Sequence, residues 1–243
     1  MAPSRTRRDR DNIRELLLES AIVEFGEKGF DGASTRSIAE RVDAHQPQIN
    51  YHFDTKAELW RAAIDHLFAQ LTEALGTVEP GTDPADAFAD LTRRLVEFSA
   101  AHPQLHQIMT HESGSLSERL TWLTETHVRP RYRELRDIWT QLQEAGIAAP
   151  IDPSLIHYVL VGAASLPYLN IAEARLLLEA DPASAEVIDR HVNGLIATLL
   201  PGRGEWDVAV VVPGSAAFPE QRERDAVGVL EVQDGTPRNV DRP

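Results

Sequence analysis

Five hydrogen-bonding side chains, Gln46, Gln48, Asn50, Tyr51 and His52, fall within one short segment whose clearly buriable residues are Ile49 and Phe53. A helix this short and this polar gains little from packing, so its composition answers to a partner. The major groove of B-DNA, about 12 Å wide, admits one α-helix, and Gln or Asn amides pair bidentately with adenine N6 and N7. Sequence reading of a duplex is therefore the chemistry this segment can perform. Tyr51 and His52 fit either a backbone contact or packing on a preceding helix.

Other chemistries find less support. The 243-residue chain has no cysteine, which removes disulfides, thiolate metal sites and thiol nucleophiles. His102, His106 and His111 share one region, but Pro103 pushes His102 out of helical geometry and spoils its i, i+4 pairing with His106. No metal site and no cofactor are expected. There is no G-x-S-x-G, H-E-x-x-H, P-loop or G-x-G-x-x-G, so no catalytic residue is expected. A helical enzyme and a sequence-insensitive DNA-binding scaffold stand as the alternative readings. The scaffold suits the charge poorly: the net is −14, and residues 57–243 carry almost all of it at −13. The first fourteen residues are +3, so this end can approach phosphates. Arg5, Arg7, Arg8 and Arg10 read either as a minor-groove arm or as a solvated tail. No apolar run reaches the length of a membrane span, and the N-terminus lacks a signal-peptide core, so a cytoplasmic protein with no membrane partner is expected.

The elements that would hold the polar segment are helical. Ile13, Leu17, Ala21 and Phe25 form one stripe, with a stop at Gly29. Ser34 reads as the N-cap of a short helix burying Ile38, Ala39 and Val42, and Asp43-Ala44 as a tight turn. Pro47 is tolerable in the first turn of the next helix. Asp54 or Thr55 caps a fourth, with Leu59, Ala63, Leu67 and Leu71 inward. Residues 76–84, rich in Gly, Pro and Thr, read as a hinge. Further helices are expected near 84–101, 103–112, 116–145, 153–166 and 184–200, with a short irregular one between 168 and 182. Pro130 should kink the long one, and Pro167 should end or bend the next. Residues 201–243 read as a disordered tail or, less readily, a terminal hairpin from 207–212 and 227–232. The fold class is all-α.

Residues 11–71 resemble the DNA-binding domain of the TetR family of bacterial transcriptional regulators. The resemblance rests on Ala21, Phe25, Glu27, Gly29, Phe30, Ser34, Ile38 and Ala39 at the family spacing, on Asn50-Tyr51-His52-Phe53, and on Lys56 and Leu59. Val42-Asp43-Ala44-His45 replaces the usual Ala-Gly-Val-Ser, losing the turn glycine and a capping serine. The resemblance implies a helix-turn-helix over about 34–53. Thr35 and Arg36 would meet phosphates, and Gln46, Pro47, Gln48 and Asn50 would meet base edges. Tyr51 and His52 would lie on the backbone, and Lys56 would pair a phosphate.

It further implies a helical ligand-binding and dimerisation bundle over 84–200. Phe98, Met109, Trp122, Tyr132 and Tyr158 are candidates for a pocket, although each alone also suits an ordinary core. Gly162, Val187, His191 and Leu195 are candidates for a two-fold interface. The expected protein is a homodimeric, ligand-responsive, sequence-specific transcriptional repressor, cytoplasmic and nucleoid-associated. Its expected partners are a pseudo-palindromic double-stranded operator and a small apolar effector.

Overall fold

In the computed structural model, the described residues are 7–77 and 81–203, with side chains described for 13–77 and 81–202. The tail or hairpin expected beyond 203, the arginine arm and part of the 76–84 hinge lie outside them. Eleven α-helices run through the described residues, which contain no strand.

Helix α1 (Arg7–Gly32) buries Leu17, Leu18, Ala21, Ile22 and Phe25, the stripe that the 3.6-residue period requires. It breaks at Gly29 (φ 66°) as expected, but one further turn carries it to Gly32. Ser34 caps α2 (Thr35–Arg41), its Oγ accepting from the Ser37 N–H at 3.4 Å. The turn into α3 (Gln46–His52) places Asp43 at φ 52°, a left-handed position that Asp tolerates where a glycine is usual. Thr55 caps α4 (Lys56–Leu75), accepting from the Glu58 N–H at 3.1 Å. Ile38, Ile49, Phe53, Leu59 and Trp60 close this core under α1.

One ion cluster braces the unit. Glu24 is fully buried, and its carboxylate accepts from Lys28 Nζ at 2.8 Å, the Ser34 N–H at 3.2 Å and Arg41 Nη2 at 3.0 Å. Burial alone would raise this carboxyl. The Lys28 hydrogen bond, the Ser34 amide and the Arg41 guanidinium outweigh it and hold the group below the usual carboxylate range.

The second set comprises α5 (Pro84–Ala101), α6 (Gln104–Glu112), α7 (Glu118–Leu123), α8 (Arg129–Glu144), α9 (Ile156–Leu169), α10 (Ile171–Leu178) and α11 (Ala185–Leu199). Pro130 does not simply kink the long segment. A π-helical turn, Thr124–Val128, precedes it, with the Arg129 N–H reaching Thr124 O, and the widened turn gives the proline ring room. Pro167 sits inside α9, which continues to Leu169.

The 76–84 segment does not separate two cores. One apolar cluster runs from Leu17 to Leu200, because α6 packs directly on α1. A Cβ on Gly26 would stand 2.8 Å from Gln107 Oε1, and one on Gly29 would stand 3.2 Å from the His111 ring. The His111 Nε2–H donates to the Gly26 carbonyl at 3.1 Å. Arg119 adds a second tie, pairing with buried Glu112 at 3.1 Å and lying 4.0 Å over the Phe30 ring.

Replacing Glu24 with Gln removes the charge its three donors require, at an expected cost of about 2 kcal/mol at pH 7. Because the folded carboxyl lies below its ordinary 4.5, its stabilisation is complete above that value and is lost as pH falls through the lower folded value. Urea unfolding at pH 7 and again in the acid range should show the wild-type advantage shrinking. An equal gap at both pH values would assign the effect to packing.

Candidate functional site

The polar segment forms α3 and presents one face outward. Pro47, Asn50 and Tyr51 lie on that face, Tyr51 exposed at 68%. Behind them the Gln46 side chain turns inward, and its Nε2 donates to Thr35 Oγ1 at 3.1 Å and to Asn50 Oδ1 at 3.5 Å. Gln46 Oε1 is buried with no partner. Three of the residues assigned to DNA are thus linked to one another.

Gln48 has a task the sequence did not disclose. Its Oε1 accepts from the His45 backbone N–H at 2.8 Å, so it supplies a cap at the helix start, where the usual serine is replaced by His45. The amide Nε2 remains as its donor. Arg36 is exposed and bound to Glu40 at 2.7 Å. The Glu40 hydrogen bond raises the Arg36 guanidinium above its usual range, so its charge is secure. Lys56 donates to the Asp31 carbonyl at 3.3 Å and lies 4.9 Å over the Phe30 ring, fixed where α1 meets α4. The Tyr51 and His52 rings meet edge to face at 5.0 Å.

Helices α4, α5, α6, α8 and α9 enclose a second feature, a cavity of about 380 Å³. Its walls are apolar, with Phe68, Leu95, Met109, Leu135, Ile138 and Val161 among them. Of the candidate pocket residues, Met109 and Tyr158 line it. Phe98, Trp122 and Tyr132 are absent from the lining. Phe98 stacks on His102 at 4.4 Å, Trp122 packs against Trp60 at 5.6 Å, and the Tyr132 hydroxyl donates to the Ser154 carbonyl at 3.2 Å. Aromatic bulk marked buried volume without saying which side of each helix it faced.

His106 lines the cavity and is set by Ser99. The Ser99 hydroxyl donates to the Leu95 carbonyl at 2.8 Å, so it accepts from the His106 Nε2–H at 3.1 Å. Burial pushes this imidazole down to about 4, leaving a neutral ring whose Nδ1 is an acceptor. The neighbouring histidines turn to other partners, His102 to Phe98 and His111 to Gly26. No group of three or more His, Asp or Glu side chains suited to a metal occurs among the described residues.

The expected interface residues divide. Val187 is buried within its own chain. His191 meets the Tyr168 hydroxyl at 3.3 Å, and burial depresses its ring. Gly162 lines the cavity and is also exposed on α9. Leu195 is half-buried. Leu116, Leu176 and Leu177 are exposed elsewhere on the surface, while along α9 and its N-cap the exposed Leu155, Val159 and Leu166 make one line with Gly162 at helical spacing.

Substitution at Gln48 should separate capping from reading. Gln48→Ala loses the cap and about 1 kcal/mol, visible as a lower Tm. Gln48→Glu keeps an acceptor at the helix start and should retain the wild-type Tm, while its charge weakens binding to every DNA sequence. Melting curves beside DNA titrations test this; a Gln48→Glu variant that binds DNA at wild-type strength would leave Gln48 a cap alone.

Residues 17–63 match the profile described as bacterial regulatory proteins, tetR family. The transcriptional repressor NicS of Pseudomonas putida is 24% identical over 65% of this chain and 75% of its own. The repressor Rv3405c of Mycobacterium tuberculosis is 27% identical over 75% of this chain and 92% of its own. The crystal structure of AibR with isovaleryl coenzyme A and operator DNA superposes with a TM-score of 0.62 at 15% identity, covering 77% of this chain and 98% of that one. No helix of the described residues is long and apolar enough to cross a membrane. With a helix-turn-helix carrying the polar α3, residues 17–63 form a DNA-binding domain of the type found in the tetR family of bacterial regulatory proteins, and the chain is a DNA-binding transcription regulator.

Proposed function

We propose that this regulator is a homodimeric repressor that holds a pseudo-palindromic operator and releases it when a small, largely apolar effector fills the cavity. The observation that carries the reading is the double contact of α6. Leu105, His106 and Met109 line the cavity, while Gly26 and Gly29 of α1 lie against Gln107 and His111 from the same helix. A molecule that shifts α6 therefore shifts the element that supports α2 and α3. Such an effector acts only through its different affinity for the two arrangements. NicS and Rv3405c carry the name repressor, and AibR was crystallised with both a small molecule and operator DNA, which supports the reading by similarity.

In this proposal Gln46, Pro47, Gln48 and Asn50 meet base edges. Thr35, Arg36, Tyr51, His52 and Lys56 meet the backbone, fixing register rather than sequence. Two copies join along the exposed line of α9 with Leu195 beside it. The protein works at the nucleoid in the cytoplasm, without a cofactor and without a catalytic step.

Selection from a randomised duplex pool tests this directly. The wild type should recover an inverted repeat, with half-site centres about one helical turn, ~34–36 Å, or a multiple apart. Leu166→Glu, which puts an unpaired charge in the proposed interface, should run as a monomer in light scattering and recover no repeat. Recovery of a single, non-repeated site by a dimeric wild type would contradict the proposal, as would uniform salt-dependent binding to all sequences.

A further inference from the structure

The cavity wall contains one feature that apolar packing does not explain. Arg131, on α8, is half-buried and lines the cavity, and its Nη2 donates to Thr72 Oγ1 across on α4. The Thr72 hydroxyl is itself committed, donating to the Phe68 carbonyl at 2.6 Å, so the guanidinium is held in place by a fixed acceptor. Among the described residues no carboxylate lies within ion-pair distance of Arg131. Burial lowers its guanidinium below the usual arginine range, which marks the desolvation this cation bears.

The other charged groups of the lining do not answer it. Asp90 is exposed and already paired with Arg94 at 2.8 Å. Glu134, three residues beyond Arg131, is exposed and supports its charge only from outside pairing distance. His106 and His157 also line the cavity, and burial depresses both rings. Arg131 is thus the full cation of the described lining. An arginine fork with spare donors beside an apolar chamber matches a carboxylate on an apolar body, since two parallel N–H donors fit two oxygens.

We propose that the effector is an amphipathic carboxylate whose head pairs with Arg131 and whose apolar body fills the chamber walled by Phe68, Leu95, Met109 and Val161. This rests on the reading of the cavity as the effector site and adds the chemistry of its head. The ligand carboxylate supplies the counter-ion that the protein lacks, so affinity depends on charge as well as on volume.

The test compares three probes with the same eight-carbon body and different heads: octanoate, 1-octanol and octylamine. Calorimetric titration into the full chain should give octanoate the tightest binding, about tenfold or more ahead of 1-octanol, as expected for charge-assisted hydrogen bonds. Arg131→Met keeps the stem and should bring octanoate down to the level of 1-octanol while leaving 1-octanol unchanged. Arg131→Lys should fall between, keeping the charge but losing the fork. Without probe, Arg131→Met should melt no lower than the wild type, which separates loss of the head-group contact from loss of the fold. Equal affinity for octanoate and 1-octanol would overturn the head-group assignment and leave the cavity reading intact. Preference for octylamine would move the head to Asp90 and Glu134. If none of the three binds, the cavity reading fails and this proposal fails with it.

Discussion

Everything in this molecule depends on how closely α6 approaches α1. Two glycines permit that approach: a side chain at Gly26 would meet Gln107, and one at Gly29 would meet His111. Gly29 also carries the positive φ that ends the regular part of α1. The result is that one nine-residue helix closes the cavity on one side and supports the DNA-reading unit on the other. Packed interfaces of this kind have few alternative arrangements, so a small displacement on the cavity side is transmitted rather than absorbed. The Glu112–Arg119 pair, with Arg119 stacked on Phe30, makes a second tie between the same parts.

The electrostatics divide along the same line. The acidic surplus belongs to residues beyond 56, whereas the reading unit is nearly neutral and starts with a basic stretch. A protein with net charge −14 can still approach phosphates when its charge is distributed in this way. Inside the reading unit, the buried charge of Glu24 braces α1 against α2 through Lys28, Arg41 and the Ser34 amide. The polar groups of the α3 face and the Lys56 cation are then placed by a rigid frame.

Much of this was legible from residue type and spacing, and the reasons are local. Caps and periodicity located α2, α3 and α4, because Ser34, Thr55 and the buried stripes act within a few residues of themselves. Asp43 in a left-handed turn followed from what Asp tolerates. What escaped notice depends on geometry that residue type does not carry. Gln48 looked like a free reader, yet its carbonyl oxygen caps α3. The aromatic residues Phe98, Trp122 and Tyr132 announced a core but not which of them faced the cavity. His191 looked like an interface residue, but its ring meets the buried Tyr168 of α9, the hydroxyl lying 3.3 Å from Nδ1. Arg131 has the same local surroundings as Arg133 and Arg136, and only the tertiary fold sets it apart.

Filling the cavity is expected to move the reading helices through α6. The chain has no cysteine, so Ala57→Cys, at the exposed start of α4, gives a single labelling site per protomer. Pulsed electron-spin distance measurement across the proposed dimer then reports the separation of the two reading units directly. Saturating octanoate or 1-octanol should shift that distance distribution away from the one seen with operator DNA bound. A distribution unchanged by a probe that calorimetry shows to be bound would contradict the account.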